Sequence, residues 1–404
     1  MKVARAAVLA GVLAASPSGA DVLGDWTDTA LATAATAKQL PYIQTRTLAM
    51  VQVAMFEAVN AVDARYTPYR VKATASPGTS AEAAAAVAAH DILVALFPSQ
   101  STKLDVALDV SLVRVTDPGV RASSTALGQR AAAGILALRA SDGWDAPNLW
   151  KPATAPGVYI PTALPIGWGW GKVMPWVLER GDQFSPAPPP PLTSAEWARD
   201  YNESKSVGGR ASTARTPAQT EAALFWAVTG PTLYTNAARV LMDIPGRSLV
   251  QNARLLALVS MAEADALIAV FDAKYTYNFW RPLTAIRDGD LDQNDATAPD
   301  PGWEPFLDTP MHPEYPCAHC IIAGAVGVVL EREFGTGNVR GFRLKSPGAP
   351  QAVHSWERVA DFVEEISNAR VWGGMHFRNS TVVGTAMGRK VGEVACDKFL
   401  RPLK

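Results

Sequence analysis

The chain has 404 residues and carries 37 Lys and Arg against 38 Asp and Glu, a formal net charge of −1. This balance leaves no excess charge to draw the protein to nucleic acid or to an acidic membrane surface. Hydrophobic residues make up 48% of the chain and charged residues 19%, below the roughly 25% charge of an average globular protein. This composition excludes global disorder and predicts a large buried core.

The first twenty residues have the three parts of a secretory signal peptide. A basic start over residues 1–5 precedes an apolar stretch over residues 6–15, and small residues end near Ala20. The longest apolar run elsewhere covers residues 321–330, about half of the roughly twenty residues that a membrane-spanning helix needs. We therefore expect a soluble mature protein that is exported to the periplasm or the cell exterior.

Helical patterns dominate the remainder of the chain. Apolar residues between positions 48 and 62 recur at spacings of three and four, as on one face of an amphipathic helix. Capping boxes are predicted at Thr79 with Glu82, Thr193 with Glu196, and Thr216 with Gln219. Further helical patterns cover residues 249–271, 319–334, 356–370 and 379–399. No sustained alternation predicts a sheet, so the expected fold is all-α, one large helical domain over residues 21–404.

Residues 141–191 break the helical pattern. They contain eleven prolines and five tryptophans, and such a stretch is too aromatic to act as a flexible linker. We interpret it as an ordered Pro/Trp-rich loop that wraps around the helices, and the alternative is a rim over an active site.

The residues suited to chemistry lie between positions 274 and 376. Lys274 and Arg281 stand seven residues apart, two helical turns, so they could share one helix face before Pro282 stops or kinks the helix. Together with Arg370 they supply about three positive charges. Guanidinium and ammonium donors of this kind suit a tetrahedral oxyanion with two or three negative charges.

Three short motifs occur in order: Lys-x6-Arg-Pro from Lys274, Pro-x2-His from Pro316, and Arg-x5-His from Arg370. This combination resembles the vanadium-dependent haloperoxidases and the related type 2 phosphatidic acid phosphatase superfamily. The segments Gln183-Phe-Ser-Pro-Ala-Pro-Pro-Pro-Pro and Arg215-Thr-Pro-Ala-Gln-Thr are similar to the secreted bacterial haloperoxidase-like branch. The resemblance implies a helical bundle of the vanadium chloroperoxidase and acid phosphatase type.

The resemblance also implies roles for individual residues of an oxyanion site. Oxyanion-binding positions for vanadate, or phosphate in its place, are Lys274, Arg281, Cys317, Ala318 and Arg370. His376 would be the axial nitrogen, bonded to vanadium in a haloperoxidase or attacking phosphorus in a phosphatase. His319 matches the acid-base histidine, and His312 falls where the family places a residue beside the halide.

The implied activity is oxidation of a halide by hydrogen peroxide at bound vanadate, with a small organic acceptor. The alternative in the same fold is a soluble acid phosphatase that cleaves phosphate esters through a phosphohistidine. Both are compatible with one site, because vanadate with a fifth ligand adopts the trigonal bipyramid through which phosphoryl transfer passes. The sequence does not decide between a monomer and a homo-oligomer.

Two positions depart from the family pattern. A serine of the family is Cys317 here, and its thiol is a weaker donor than a hydroxyl. The carboxylate that often follows the axial histidine by four residues is Ser380 here, so the sequence gives His376 no acidic orienting partner.

The segment Cys317-Ala-His-Cys320 also permits other interpretations. It has the form of a dithiol redox motif, although the βαβ context of a thioredoxin-like fold is missing. A zinc site with His312, or a non-catalytic protein, are further alternatives. In an oxidising compartment we favour a disulfide between the two cysteines, because peroxide and hypohalous acid would oxidise a free thiol.

Overall fold

The computed structural model describes residues 22–403, and the predicted all-α fold is confirmed. The predicted signal peptide, residues 1–20, lies outside the described residues. In chain order the helices are α1 (Val22–Thr36), α2 (Pro41–Val62), α3 (Ala81–Leu96), α4 (Ser101–Leu112), α5 (Pro118–Arg139), α6 (Ala195–Gly208), α7 (Pro217–Phe225), α8 (Thr232–Met242), α9 (Leu249–Tyr277), α10 (Pro282–Arg287), α11 (Ala318–Phe334), α12 (Val359–Trp372) and α13 (Arg378–Lys398). Two strands, β1 (Arg343–Ser346) and β2 (Ala349–Ser355), lie between α11 and α12.

The predicted helical segments all form helices, although two of the predicted caps are displaced by one residue. The capping box of Thr216 and Gln219 opens α7 as predicted. At α3 and α6 the capping residues are Ser80 and Ser194, each of which accepts the backbone N–H three residues later. A serine next to a threonine offers the same cap chemistry, so sequence alone does not separate the two positions.

Helix α9 is the centre of the bundle and carries one end of the candidate site. It opens on a capping box of Ser248 and Gln251 and is buried on nearly all sides by α2, α11 and α13. It ends at Tyr277, where Asn278 adopts a left-handed conformation with φ of 46°. The prediction that Lys274 and Arg281 share a helix face is therefore wrong. Arg281 lies beyond the helix end, and Pro282 opens α10 rather than stopping α9.

The hairpin formed by β1 and β2 was not predicted from the sequence. The two strands pair antiparallel, with Leu344 opposite His354. Strand β1 has four residues whose exposure alternates, and so short a run cannot display a sustained alternation in sequence. The hairpin lies beside α7 and α8.

The Pro/Trp-rich loop of residues 141–191 is ordered and fastened to α9 by one buried carboxylate. Asp265 accepts hydrogen bonds from the backbone N–H groups of Trp176, Val177 and Leu178 at 2.7–2.8 Å. Further along α9, Tyr159 of the loop donates its backbone N–H to the carbonyl of Asn278. The loop therefore runs along the central helix to the point where the candidate site begins.

Between residues 22 and 403, no single helix is both long and apolar enough to cross a membrane. Helix α3 and the helical residues 98–112, bent by 120° at their junction, pass the same test only as a pair and only by length and composition.

Candidate active site

Four elements bring three cations and one histidine into a single buried cluster. Lys274 lies in the last turn of α9, Arg281 precedes α10, and Arg370 lies in the last turn of α12. His376 follows in the connection between α12 and α13. All four side chains are at most 2% exposed, so charges that are normally solvated are here held together away from water.

Lys274 is held by backbone carbonyls of the motif that precedes α11. Its Nζ donates to the carbonyl oxygens of Pro313 and Glu314, both at 2.8 Å. Burial lowers the pKa of Lys274 well below its usual value, and the nearby charge of Arg281 lowers it further. A bound anion would reverse this effect by stabilising the ammonium form.

Arg281 contacts both neighbouring histidines. Its NH1 atom donates to the carbonyl of Met375 at 2.8 Å and lies 3.2 Å from Nε2 of His376. Its NH2 atom lies 3.0 Å from Nδ1 of His312. Burial lowers the pKa of Arg281 to about 10. The guanidinium thus contacts Nε2 of His376, the residue that the resemblance assigns to the axial bond.

Arg370 has fewer contacts than Arg281. NH1 donates to the carbonyl of Trp226 at 2.8 Å, and NH2 lies 3.0 Å from the sulfur of Met375. The Nε atom is buried and has no hydrogen-bond partner. Burial lowers the pKa of Arg370 to about 9. An unpaired guanidinium donor in a dry site is costly unless a ligand accepts it.

His376 has the acidic partner that the sequence did not reveal. Its Nδ1 lies 2.7 Å from Oε1 of Glu314, and the backbone N–H of Phe377 donates to the same oxygen. Ser380, at the position where the family often has a carboxylate, lies 3.3 Å from Nδ1. Two donors to Oε1 favour a carboxylate that accepts the Nδ1 proton, which leaves Nε2 with a free electron pair. The inference that His376 lacks such a partner is therefore corrected.

His319 lies in the first turn of α11 and is partly buried. Its Nε2 is 3.2 Å from the carbonyl oxygen of Val228. Burial lowers the pKa of His319 well below its usual value, and the nearby charge of Arg370 lowers it further. The ring is therefore held neutral beside the cation cluster, and its role as the acid-base group stays a prediction.

His312 also borders the cluster. Besides the contact with Arg281, its ring packs edge-on against Phe271 with 5.2 Å between ring centres. Its pKa is lowered well below the usual value by burial and by the charges of Lys274 and Arg281. This places an apolar ring and a neutral imidazole side by side at the edge of the site. The halide-proximal role stays a prediction.

Cys317 and Cys320 form a disulfide with 5.3 Å between their Cα atoms. Cys317 precedes Ala318, the first residue of α11, and its sulfur accepts the backbone N–H of Cys320. The favoured disulfide is therefore confirmed, and because a disulfide sulfur has no proton, Cys317 is not the weak thiol donor that its residue type suggested. The zinc alternative also fails, because the thiolates it requires are absent. Both cysteines are fully buried in a helical fold, which disfavours thiol exchange with a partner.

The charge balance of the cluster fits a multiply charged oxyanion. Among residues 22–403, no carboxylate forms an ion pair with Lys274, Arg281 or Arg370. Glu314 is the buried acid whose charge acts on Lys274 and Arg281. Burial raises the pKa of Glu314 to about 7. When Lys274 is protonated, three buried cations against the single carboxylate of Glu314 leave excess positive charge, and the unpaired Nε of Arg370 supplies a donor. Vanadate or phosphate carries the charge and the acceptor oxygens that this arrangement requires.

Part of the chain matches a family model and a curated protein. Residues 254–404 match the family described as the VCPO second helical-bundle domain. Vanadium chloroperoxidase from Curvularia inaequalis is 31% identical over 196 residues, which cover 41% of this chain and 32% of that protein. The chain thus spans about a third of the length of this curated relative.

Solved structures are similar over almost the whole chain. A bacterial vanadium-dependent iodoperoxidase has a TM-score of 0.81 and 24% identity, with 95% of this chain and 98% of that chain covered. The apo form of a bacterial vanadium-dependent chloroperoxidase has a TM-score of 0.73 and 15% identity, with 88% and 92% covered. The chain has the helical fold of the vanadium haloperoxidases, and the resemblance drawn from its motifs is confirmed. Residues 254–404, which match the family model, contain every member of the buried cluster.

Proposed function

We propose that the protein is a vanadium-dependent haloperoxidase, which binds vanadate and oxidises a halide with hydrogen peroxide. The observation that carries this proposal is the convergence of Lys274, Arg281 and Arg370 around His376 in a buried site, with Arg281 in contact with Nε2. The fold similarity and the sequence match of residues 254–404 support it.

Each residue of the site would have a role that follows from its contacts. Lys274, Arg281 and Arg370 would hold the oxygens of the anion, and His376 would offer Nε2 to it while Glu314 fixes the tautomer of the histidine. The backbone N–H of Ala318 at the start of α11 has no partner within the helix and would donate a further hydrogen bond to an oxygen of the anion. His319 would accept or deliver the proton that peroxide and the oxidised halide exchange with the site. When bound, vanadate supplies the Lewis acid that activates peroxide toward the halide.

A side-by-side assay tests the proposal. The protein is loaded with orthovanadate, and its peroxide-dependent bromination, iodination and chlorination of an organic acceptor are measured next to hydrolysis of a phosphate ester. Halide oxidation that requires both vanadate and peroxide supports the proposal. Vanadate-independent ester hydrolysis without halide oxidation would contradict it.

The second candidate is an acid phosphatase, and the pair of Glu314 and His376 is the observation in its favour. A nucleophilic histidine needs a fixed tautomer, and the 2.7 Å contact between Glu314 and Nδ1 provides one. Trapping a phosphohistidine at His376 after incubation with a phosphate ester would identify this activity.

We also propose that the protein is exported. The disulfide of Cys317 and Cys320 supports this, because such bonds persist in oxidising compartments. N-terminal sequencing of the mature protein from the producing cells tests the cleavage, with a start near residue 21 as the expected result.

A further inference from the structure

The connection between α7 and α8 touches two residues of the proposed oxyanion site through its backbone. The carbonyl of Trp226 accepts the 2.8 Å hydrogen bond from NH1 of Arg370, and the carbonyl of Val228 lies 3.2 Å from Nε2 of His319. Trp226 is fully buried. The position of residues 226–228 therefore sets the positions of both side chains.

A carboxylate on α12 fixes the indole ring of Trp226. Nε1 of Trp226 donates to Oε1 of Glu365 at 2.8 Å. Glu365 and Arg370 belong to the same helix, so α12 holds Trp226 twice, at the ring through Glu365 and at the carbonyl through Arg370. Tyr234 and Phe362 pack against the ring, and close packing leaves it little freedom to move.

Further donors hold Glu365 in its charged form. Nδ1 of His354 lies 2.7 Å from Oε1, and Nε1 of Trp356 donates to Oε2 at 3.1 Å. Burial raises the pKa of Glu365, yet these hydrogen bonds bring it below its usual value. The ring of His354 also stacks on Phe225 with 4.0 Å between ring centres. Glu365 is thus a charged anchor that is itself rigidly placed.

We propose that Glu365 is a positioning residue for the oxyanion site, acting through Trp226 on the guanidinium of Arg370 and on the ring of His319. This inference rests on the proposed function. The other partner of Arg370 is the sulfur of Met375, a weak acceptor, so the Trp226 carbonyl is the strong contact that orients the guanidinium. That orientation leaves Nε of Arg370 for the anion.

Three variants separate the links of this chain of contacts. Trp226→Phe removes the indole donor and keeps an aromatic ring, Glu365→Leu removes the carboxylate, and Glu365→Gln keeps an acceptor oxygen. The dissociation constant of orthovanadate is measured by calorimetry, and the midpoint of thermal unfolding is measured beside it. We expect Trp226→Phe and Glu365→Leu to weaken vanadate binding about 3- to 30-fold, the range of coupling through a contact network. Glu365→Gln should recover most of the affinity.

Glu333→Gln is the matched control. Glu333 is a partly buried acid that accepts from Arg247 at 2.9 Å and from Arg254 at 2.8 Å, in a part of the fold that does not touch the site. The control should lower the unfolding temperature without changing the vanadate affinity. The inference is overturned if Trp226→Phe and Glu365→Leu weaken binding no more than Glu333→Gln does.

A failure of the proposed function gives a different result. In that case the wild-type protein binds neither orthovanadate nor inorganic phosphate. The positioning role is then decided by a crystal structure of Trp226→Phe. Displacement of Arg370 from the carbonyl of residue 226 supports the inference, and an unchanged contact overturns it.

Discussion

Glu314 places a carboxylate oxygen 2.7 Å from Nδ1 of His376, and both side chains are buried. The pair joins the motif before α11 to the connection before α13. Because Nδ1 carries the proton that Glu314 accepts, the opposite nitrogen is available as a ligand or a nucleophile.

The first prediction concerns this pair. Glu314→Gln should keep the fold and lower the turnover of halide oxidation by roughly 10- to 100-fold, the usual effect of removing an outer partner of a ligating histidine. A neutral amide accepts the Nδ1 proton more weakly than a carboxylate. Steady-state bromination kinetics measure the change, and Glu196→Gln, a change in an exposed acid of α6, is the control. Unaltered turnover in Glu314→Gln would exclude an orienting role.

The second prediction concerns the fork of Arg281. Arg281→Lys keeps the positive charge but cannot contact His376 and His312 at the same time, as NH1 and NH2 do. We expect the loss of a charge-assisted hydrogen bond, about 1.5–3 kcal/mol of vanadate binding free energy. Calorimetric titration measures it. Wild-type affinity in the lysine variant would mean that charge alone, without the fork, binds the anion.

The contacts of the site that could be predicted from the sequence differ physically from those that could not. Lys274, Arg281, Arg370 and His376 were found in sequence because their residue types and order match one oxyanion chemistry. Glu314 was missed because it lies 62 residues from His376, and an acid between two prolines has no local signature of its partner. The contacts of Trp226 and Val228 are made by backbone carbonyls, which every residue possesses.

The fold shows the same division. Helix α11 could be predicted to end at Gly335, because its apolar pattern stops there and glycine is a favoured helix terminator. The end of α9 at Tyr277 could not, because the predicted helical pattern stops at residue 271 and the left-handed residue, Asn278, is not a glycine. The strand β1 was too short to be recognised.

The third prediction concerns position 317. Cys317→Ser and Cys317→Ala both break the disulfide with Cys320, but only serine supplies a hydroxyl donor. The serine variant should bind vanadate more tightly than the alanine variant by about 0.5–1.5 kcal/mol, one neutral hydrogen bond. Titrations of both variants under reducing conditions measure the difference. Equal affinities would mean that the side chain at position 317 does not face the anion.

The fourth prediction concerns the anchor of the Pro/Trp-rich loop. Burial raises the pKa of Asp265 to about 6 from an ordinary value of 3.8, against the effect of the three backbone N–H groups it accepts. Between these two pH values the folded protein binds the proton more tightly than the unfolded chain, so the contribution of Asp265 to stability falls as pH rises from about 4 to about 6. Asp265→Asn lacks this titration.

Urea unfolding of both proteins across that pH range tests the sign. The stability of the wild-type protein relative to Asp265→Asn should decrease as the pH rises, and level off above about 6. A relative stability that increases with pH would show that the folded pKa of Asp265 is depressed, and the assigned balance between burial and hydrogen bonding would be wrong.

A calorimetric titration of orthovanadate into the wild-type protein, His376→Ala and His319→Ala tests the vanadate site itself. We predict one equivalent bound by the wild-type protein, loss of binding in His376→Ala, and retained binding in His319→Ala with turnover lowered by about 10²–10⁴-fold. Equal vanadate affinity of the wild-type protein and His376→Ala would contradict the assignment of His376 as the axial ligand in this buried cation cluster.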